Sequence, residues 1–307
     1  MSYLDHLDQN CPIRNTAEEK EAFRAWAIAE SDKLGFSART EQNDGHDNIV
    51  IGDPESAKVL FTAHYDTPKR ALTPNLMLPE NRVLFWVYNL GISFLLVGIA
   101  ILAGLGVRAL SGYGNEEMTG RLIWLATYTI VFIGLFKIVL FGPKNEHNRN
   151  DNTSGAAVVM ELCSRLKGDK NAAFILFDNE EKGKKGSKAY AAAHIDLKES
   201  RLVVNMDCVG NGDTFMVGVS PKAKESENYP AFERAWQETG GFTFRLGAFN
   251  MNSDQKSFTR GVGVCACRKY KVVGYCTPRI HTKYDTMADD ANIGYLCDTL
   301  ERFVKEI

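Results

Sequence analysis

Three patterns of apolar and polar positions run along the chain. The first is a set of short apolar runs between turn-forming residues. Residues 48–52 and 58–63 read as strands separated by the turn Asp53-Pro54-Glu55. Residues 172–177 and 202–206 are further short apolar runs, each followed closely by acidic residues, a pattern that suits buried parallel strands delivering side chains at their carboxyl ends. The second pattern has helical spacing. Thr16-Ala17-Glu18-Glu19 forms a capping box, Phe23, Trp26, Ala27 and Leu34 follow at helical intervals, and Gly35 is a stop, which predicts a helix over 17–34. Residues 156–166 predict another. The tail 289–307 sets Ile293, Leu296, Leu300, Phe303, Val304 and Ile307 on one helical face. Strands alternating with helices predict a three-layer α/β/α sandwich around a mostly parallel mixed sheet.

The third pattern interrupts the other two. Residues 83–107 carry no charge and are flanked by Arg82 and Arg108; residues 122–142 carry only Lys137, close enough to the end to snorkel. At about 1.5 Å per helical residue, the first run exceeds a hydrocarbon core of roughly 30 Å. Trp86, Tyr88, Trp124 and Tyr128 stand near run ends, where an interfacial belt places them. The pattern predicts a transmembrane hairpin over 83–142, inserted into a single catalytic domain made of 1–82 and 143–307. The competing reading is a water-shielded hairpin that packs on the catalytic domain or forms a dimer interface. Lys69, Arg70, Arg82, Lys144 and Arg149 lie on the catalytic side and Arg108 and Arg121 in the connecting loop, which predicts a catalytic domain facing the cytoplasm of a cell-membrane protein.

Composition narrows the classes little. The apolar fraction of 45% and charged fraction of 24% are those of an ordinary folded protein, and a net charge of −2 with no basic run excludes a nucleic-acid partner. The seven cysteines have no regular spacing and read as reduced thiols, and no cleavable secretory signal is visible at the N-terminus.

Chemistry concentrates outside the apolar runs. His64-Tyr65-Asp66 ends one predicted strand, and Asp66 is placed to hold the His64 ring so that its other nitrogen faces a metal. Asp151 precedes a predicted helix, Glu180 and Glu181 follow one strand, Asp207 follows another, and His281 and Asp285 share a loop. Each alone has an ordinary structural reading, as an N-cap or a solvated loop. Together, two histidines and three carboxylates suit two divalent ions, with one carboxylate bridging them and one further carboxylate left free as a base. The histidines 6, 46, 147 and 194 have no comparable partners and read as surface or loop residues. Gly-x-Ser-x-Gly and a P-loop are both absent from the sequence.

His-x-Asp, Asp-Asn-x-Ser-Gly, Glu-Glu, Asp and His-Thr-x-x-Asp-Thr, in this order, resemble the di-zinc aminopeptidase family, which includes bacterial leucyl aminopeptidases, Streptomyces enzymes and aminopeptidase Y. The resemblance covers residues 45–80 and 143–300. It implies that His64, Asp151 and Asp207 hold one metal and that Asp151, Glu181 and His281 hold the other. It makes Glu180 the general base, and Asp66 and Asp285 orienting residues. It implies a cis peptide after Asp151. Ser253, Asp254 and Phe258 resemble the segment that shapes the substrate pocket, although a histidine common after that Asp is Gln255 here. Typical members are secreted and lack a hairpin at this place. The resulting expectation is a membrane-anchored aminopeptidase that binds two divalent ions, most simply Zn2+. It hydrolyses the N-terminal peptide bond of peptides through a metal-bound hydroxide. The alternatives are a glutaminyl cyclase or carboxypeptidase of the same fold, or a non-catalytic scaffold.

Overall fold

In the computed structural model all residues are described except Leu72, Pro74, Asn115, Glu116 and Phe141. At those positions the readings of the linker before the hairpin, of its connecting loop and of the end of its second run lie outside the described residues. The elements in chain order are α1 (Tyr3–Asn10), α2 (Ala17–Lys33), β1 (Ala38–Asn43), β2 (His46–Ile51), β3 (Val59–His64), α3 (Arg82–Ser111), α4 (Met118–Leu140) and α5 (Gly155–Arg165). They continue as β4 (Ala172–Phe177), α6 (Lys185–Ala193), α7 (Ile195–Ser200), β5 (Leu202–Met206), β6 (Thr214–Val219), α8 (Tyr229–Glu238), β7 (Thr243–Gly247), β8 (Gly261–Tyr270), β9 (Gly274–Cys276) and α9 (Asp290–Lys305).

The expected α/β architecture is present. The strands form one mixed sheet in the order β1-β2-β4-β3-β5-β8-β6-β7, with β9 paired to β8. Its centre is parallel: β3 pairs with β4 and β5, and β5 with β8. The apolar runs predicted as strands are buried on both faces, and their side chains divide by parity. Val59, Phe61 and Ala63 of β3, with Phe174 and Leu176 of β4, enter the larger core, which α1, α2, α5, α8 and α9 cover. Leu60, Ala173, Ile175, Phe177 and Val203 enter a smaller core under Tyr190 and Ala191 of α6 and Leu197 of α7. The sheet therefore lies between two helical layers.

Local signals fix the ends of α2. The Thr16 hydroxyl accepts the Glu19 N–H while the Glu19 carboxylate accepts the Thr16 N–H at 2.8 Å, and Gly35 takes φ +87° just beyond the helix. The face of α9 is buried as its spacing predicts, apart from Ile307, which is half-buried beyond the helix end.

The two apolar runs form long helices that pack on each other, with Ala100 and Gly104 buried at the crossing. A Cβ at Gly104 would lie 2.9 Å from the Trp124 carbonyl oxygen, so the small residue sets how closely the helices approach. Both helices are long and apolar enough to cross a membrane, and only 11% of the most apolar window of the first and 0% of that of the second are buried. That exposure argues against a hairpin packed into the catalytic core. The segments entering and leaving the hairpin are joined: Arg70 N–H donates to the Pro143 carbonyl at 2.8 Å, and Ala71 N–H donates to the His281 carbonyl at 2.8 Å.

Candidate metal centre

Parallel pairing brings the chemistry to one edge of the sheet. His64 ends β3 in register with Phe177 of β4, and β5 ends one residue before Asp207. Ligands gather at the carboxyl ends of parallel strands because the loops there diverge and leave a crevice. Asp151 enters from the turn before α5, and His281 from the loop after β9. The Asp151–Asn152 peptide is cis, as the resemblance implies.

The two carboxylate oxygens of Asp151 serve different neighbours. Oδ1 lies 3.5 Å from His64 Nε2, which is itself 3.8 Å from Asp207 Oδ1. Oδ2 lies 3.0 Å from His281 Nε2, which is 3.4 Å from Glu181 Oε1. In each of the groups His64/Asp151/Asp207 and Asp151/Glu181/His281, the possible ligand atoms lie within 4.8 Å of one another. Glu180 joins His64 and Glu181 in a third such group.

Backbone contacts hold these side chains in place. His64 Nδ1 lies 3.0 Å from the Asp66 carbonyl oxygen and 3.4 Å from its carboxylate. Both are acceptors, so Nδ1 carries a proton and Nε2 faces the carboxylates. The Asp66 carboxylate in turn accepts the N–H groups of Glu180 at 3.0 Å and Glu181 at 3.2 Å. The Asp285 carboxylate accepts those of Asn150 at 3.1 Å and Asp151 at 3.0 Å. Asp66 and Asp285 thus each grip the backbone at ligand-bearing turns. Asn179, Cys208 and His281 adopt φ of 55°, 58° and 58°, a costly conformation for non-glycine residues that the surrounding contacts enforce.

The electrostatics fit a cation. Burial disfavours charge on His64, but hydrogen bonding to Asp151, Asp207 and Asp66 outweighs it and raises the pKa well above the usual imidazole value. His281 is likewise raised: burial is overcome by Glu181 and Asp151. Burial opposes ionisation of Asp151, but His281 and His64 hold it below the ordinary carboxylate range. Glu180 is pushed well up by burial, helped by Asp254, Glu181 and Asp207. Three facing carboxylates need positive charge, which protons on the imidazoles supply here; divalent cations on the same nitrogen and oxygen donors meet that need directly.

Ser253, Asp254 and Phe258 do not share one wall. The Ser253 hydroxyl accepts from Asn205 Nδ2 at 3.1 Å, and Phe258 is buried in the smaller core, 5.9 Å from the Phe177 ring. Asp254 is buried near Glu180, and burial pushes its carboxyl up to about 7. Gln255 fills space beside Gly261 and Gly263 and donates to the Met251 carbonyl at 2.9 Å. The cleft over the ligands, about 250 Å3, is lined instead by Asn252, with Asn75, Met77, Lys184 and Ile280.

Other supporting residues escape a reading of the sequence. Asn152 donates to the Met206 carbonyl at 2.9 Å and accepts from Gly155 and Cys208 N–H, tying the Asp151 turn to the Asp207 turn. Arg14, fully buried, reaches the Tyr65 carbonyl and Thr153. Lys20 pairs with buried Asp178 at 2.6 Å, just before Glu180. The Asn residues flanking Asp151 were a usable signal; Arg14 and Lys20 sit in ordinary helical or loop sequence with none. His194 is half-buried and contacts Glu41 at 2.5 Å, so it has a partner that the sequence reading did not give it.

Fold and donor set together define a zinc-exopeptidase-like protein. The chain belongs to peptidase family M28, which matches residues 143–302, just over half its length. Similar solved structures share the fold at low identity. The LapA aminopeptidase of Legionella pneumophila is 13% identical with a TM-score of 0.61, over 99% of this chain and 69% of that one. A Zn-dependent exopeptidase from Parabacteroides distasonis is 14% identical with a TM-score of 0.60, over 98% and 95%. The glutaminyl cyclase of Porphyromonas gingivalis is 15% identical with a TM-score of 0.59, over 99% and 96%. No curated protein sequence matches the chain.

Proposed function

We propose that this chain is a membrane-anchored aminopeptidase using two divalent ions, most simply Zn2+, to hydrolyse the N-terminal bond of peptides. The observation that carries the reading is the division of Asp151, whose two oxygens face separate histidine–carboxylate pairs. His64, Asp151 and Asp207 would hold one ion and Asp151, Glu181 and His281 the other. Bound there, the ions would polarise the scissile carbonyl and acidify water. Glu180, in the cleft but outside both triads, takes the proton from the attacking water and delivers it to the leaving amine. Asp66 fixes the Glu180-Glu181 turn, and Asp285 the Asp151 turn.

Residues 1–82 and 143–307 form the catalytic domain in this reading, and 83–142 an inserted hairpin anchored in the bilayer. The exposed apolar surface of both helices supports the anchor, and the basic residues on the catalytic side support a cytoplasmic domain. The hydrogen bond from Ala71 N–H to the His281 carbonyl supports a cleft close to the membrane surface in this reading.

Glutamine cyclisation is a second reading, favoured by the fold shared with the Porphyromonas gingivalis glutaminyl cyclase. Metal analysis of purified protein with a panel of aminoacyl-anilides and N-terminal glutamine peptides separates the two. Two ions per chain with anilide hydrolysis support the aminopeptidase. One ion with pyroglutamate formation replaces it.

A further inference from the structure

Beside the metal cleft lies a larger groove of about 550 Å3 at the foot of α3. Asn75, Met77 and Asn252 line both spaces, so the two adjoin. The outer wall is pinned on each side: Thr277 N–H donates to the Met77 carbonyl at 3.3 Å, and Asn250 N–H to the Pro79 carbonyl at 2.9 Å. Phe85 and Trp86, in the first turn of α3, give the groove an apolar side. Its volume is that of a site for a small ligand.

The charge along this path reverses. Carboxylates dominate around His64 and His281, whereas Lys184, Lys256 and Arg82 line the way outward. Lys184 Nζ donates to Asn252 Oδ1 at 2.7 Å and Lys256 Nζ to Asn250 Oδ1 at 3.2 Å. None of the three cations forms an ion pair among the described residues, and Glu80 nearby is committed to Arg245. Lys256 is shifted down by burial and by the charges of Lys184 and Arg82, which places the three cations in one field. Cations along the outward path complement the C-terminal carboxylate of a short peptide whose other end lies in the metal cleft.

Resting on the aminopeptidase reading, we infer that the Arg82/Lys256 groove binds the C-terminal carboxylate of the peptide substrate, making the enzyme selective for short peptides with a free C-terminus. The apolar side from Phe85 and Trp86 then receives a C-terminal apolar side chain. An internal segment of a long chain offers no carboxylate there and leaves the cations unpaired.

The test uses the full-length, zinc-loaded protein in detergent. Binding of Leu-Gly-Phe and of its C-terminal amide is measured by calorimetry on the Glu180→Gln variant, and hydrolysis of both on the native chain. The free acid is expected to bind roughly 10- to 100-fold more tightly than the amide, the size of a charge-assisted contact. Arg82→Gln and Lys256→Gln, singly and together in the same background, are expected to bring that ratio toward one. Equal binding of acid and amide, or a ratio the substitutions leave unchanged, overturns the inference. So does a double variant that loses affinity only for glycerophosphoglycerol, a soluble anionic headgroup, because the cations then serve lipid. Acid-selective binding without hydrolysis of either peptide by the native chain breaks the aminopeptidase reading and keeps the groove.

Discussion

The metal centre and the apolar hairpin are built on opposite terms. At the centre, side chains from five separate segments meet in a buried cluster where every carboxylate depends on a partner from elsewhere in the chain. In the hairpin, two consecutive segments pair with each other and present an apolar surface outward. A charged cluster out of water is stable only when each charge is compensated, so its members are energetically coupled. An apolar helix in a bilayer satisfies its own backbone and needs little from the rest of the fold. The contrast teaches where each region is fragile: the centre to the loss of one atom, the hairpin to a change of solvent.

The largest effect expected is at the base. Glu180→Gln should lower kcat/KM by roughly 10^2- to 10^4-fold with metal content unchanged; variant activity within a few-fold of the native chain would remove Glu180 from the mechanism. Stripping metal with a chelator should abolish activity and also lower the thermal midpoint. A ligand at 100 times its Kd contributes about 2.7 kcal/mol, and added zinc should restore both activity and midpoint. A midpoint that does not move would mean that the cluster stands without ions.

The buried ion pair tests coupling without touching a ligand. Lys20→Met leaves Asp178 buried and unpaired, at a cost of about 3–5 kcal/mol in denaturant unfolding. Lys20→Met with Asp178→Asn should recover much of that loss, and no recovery would show that Lys20 acts by packing alone. In the hairpin, Gly104→Val should separate α3 from α4, seen as faster proteolysis of the connecting loop in detergent, while anilide hydrolysis changes less than about threefold by the additivity of distant sites. A large loss of turnover would tie the hairpin to catalysis and erase the contrast drawn here.

The smallest effect is at the junction of the two regions. Glu19 caps α2 and contacts Lys144, just after the hairpin, at 2.6 Å. Burial opposes its charge, but Lys144 and the Thr16 and Asn15 N–H groups outweigh this and hold the carboxyl at about 2, against an ordinary 4.5. Its folded pKa is depressed, so its contribution is present above pH 4.5 and is lost as pH falls toward 2. Glu19→Ala should cost about 1 kcal/mol near neutrality and make that acid loss shallower. Unchanged acid unfolding would show that Glu19 contributes nothing beyond helix propensity.

How legible each part was follows from the same physics. The central strands could be read because burial on both faces demands unbroken apolar runs, as in Ala172–Phe177. β1 could not, because Ala38–Asn43 is an edge strand whose polar side chains carry no apolar period. β8 was hidden by Gly261 and Gly263, which leave room for Gln255. In the site, His64, Asp151, Glu180, Glu181, Asp207 and His281 stood out by type and spacing. The roles of Asn75, Met77 and Asn252 did not, since their only distinction is which cavity they line.

The sequence by itself determined what is local: the capping box of α2, the parity of the central strands, the two membrane-length helices and the kinds of donor available. Only the tertiary structure decided that Asp151 turns one oxygen to each histidine, that the Asp66 carboxylate grips the Glu180-Glu181 backbone, and that Arg82 and Lys256 line a groove adjoining the metal cleft. Periodicity records which face of an element meets apolar surroundings, so one-dimensional patterns carry it. Contacts between residues far apart in the chain depend on strand order and register, which no local pattern encodes.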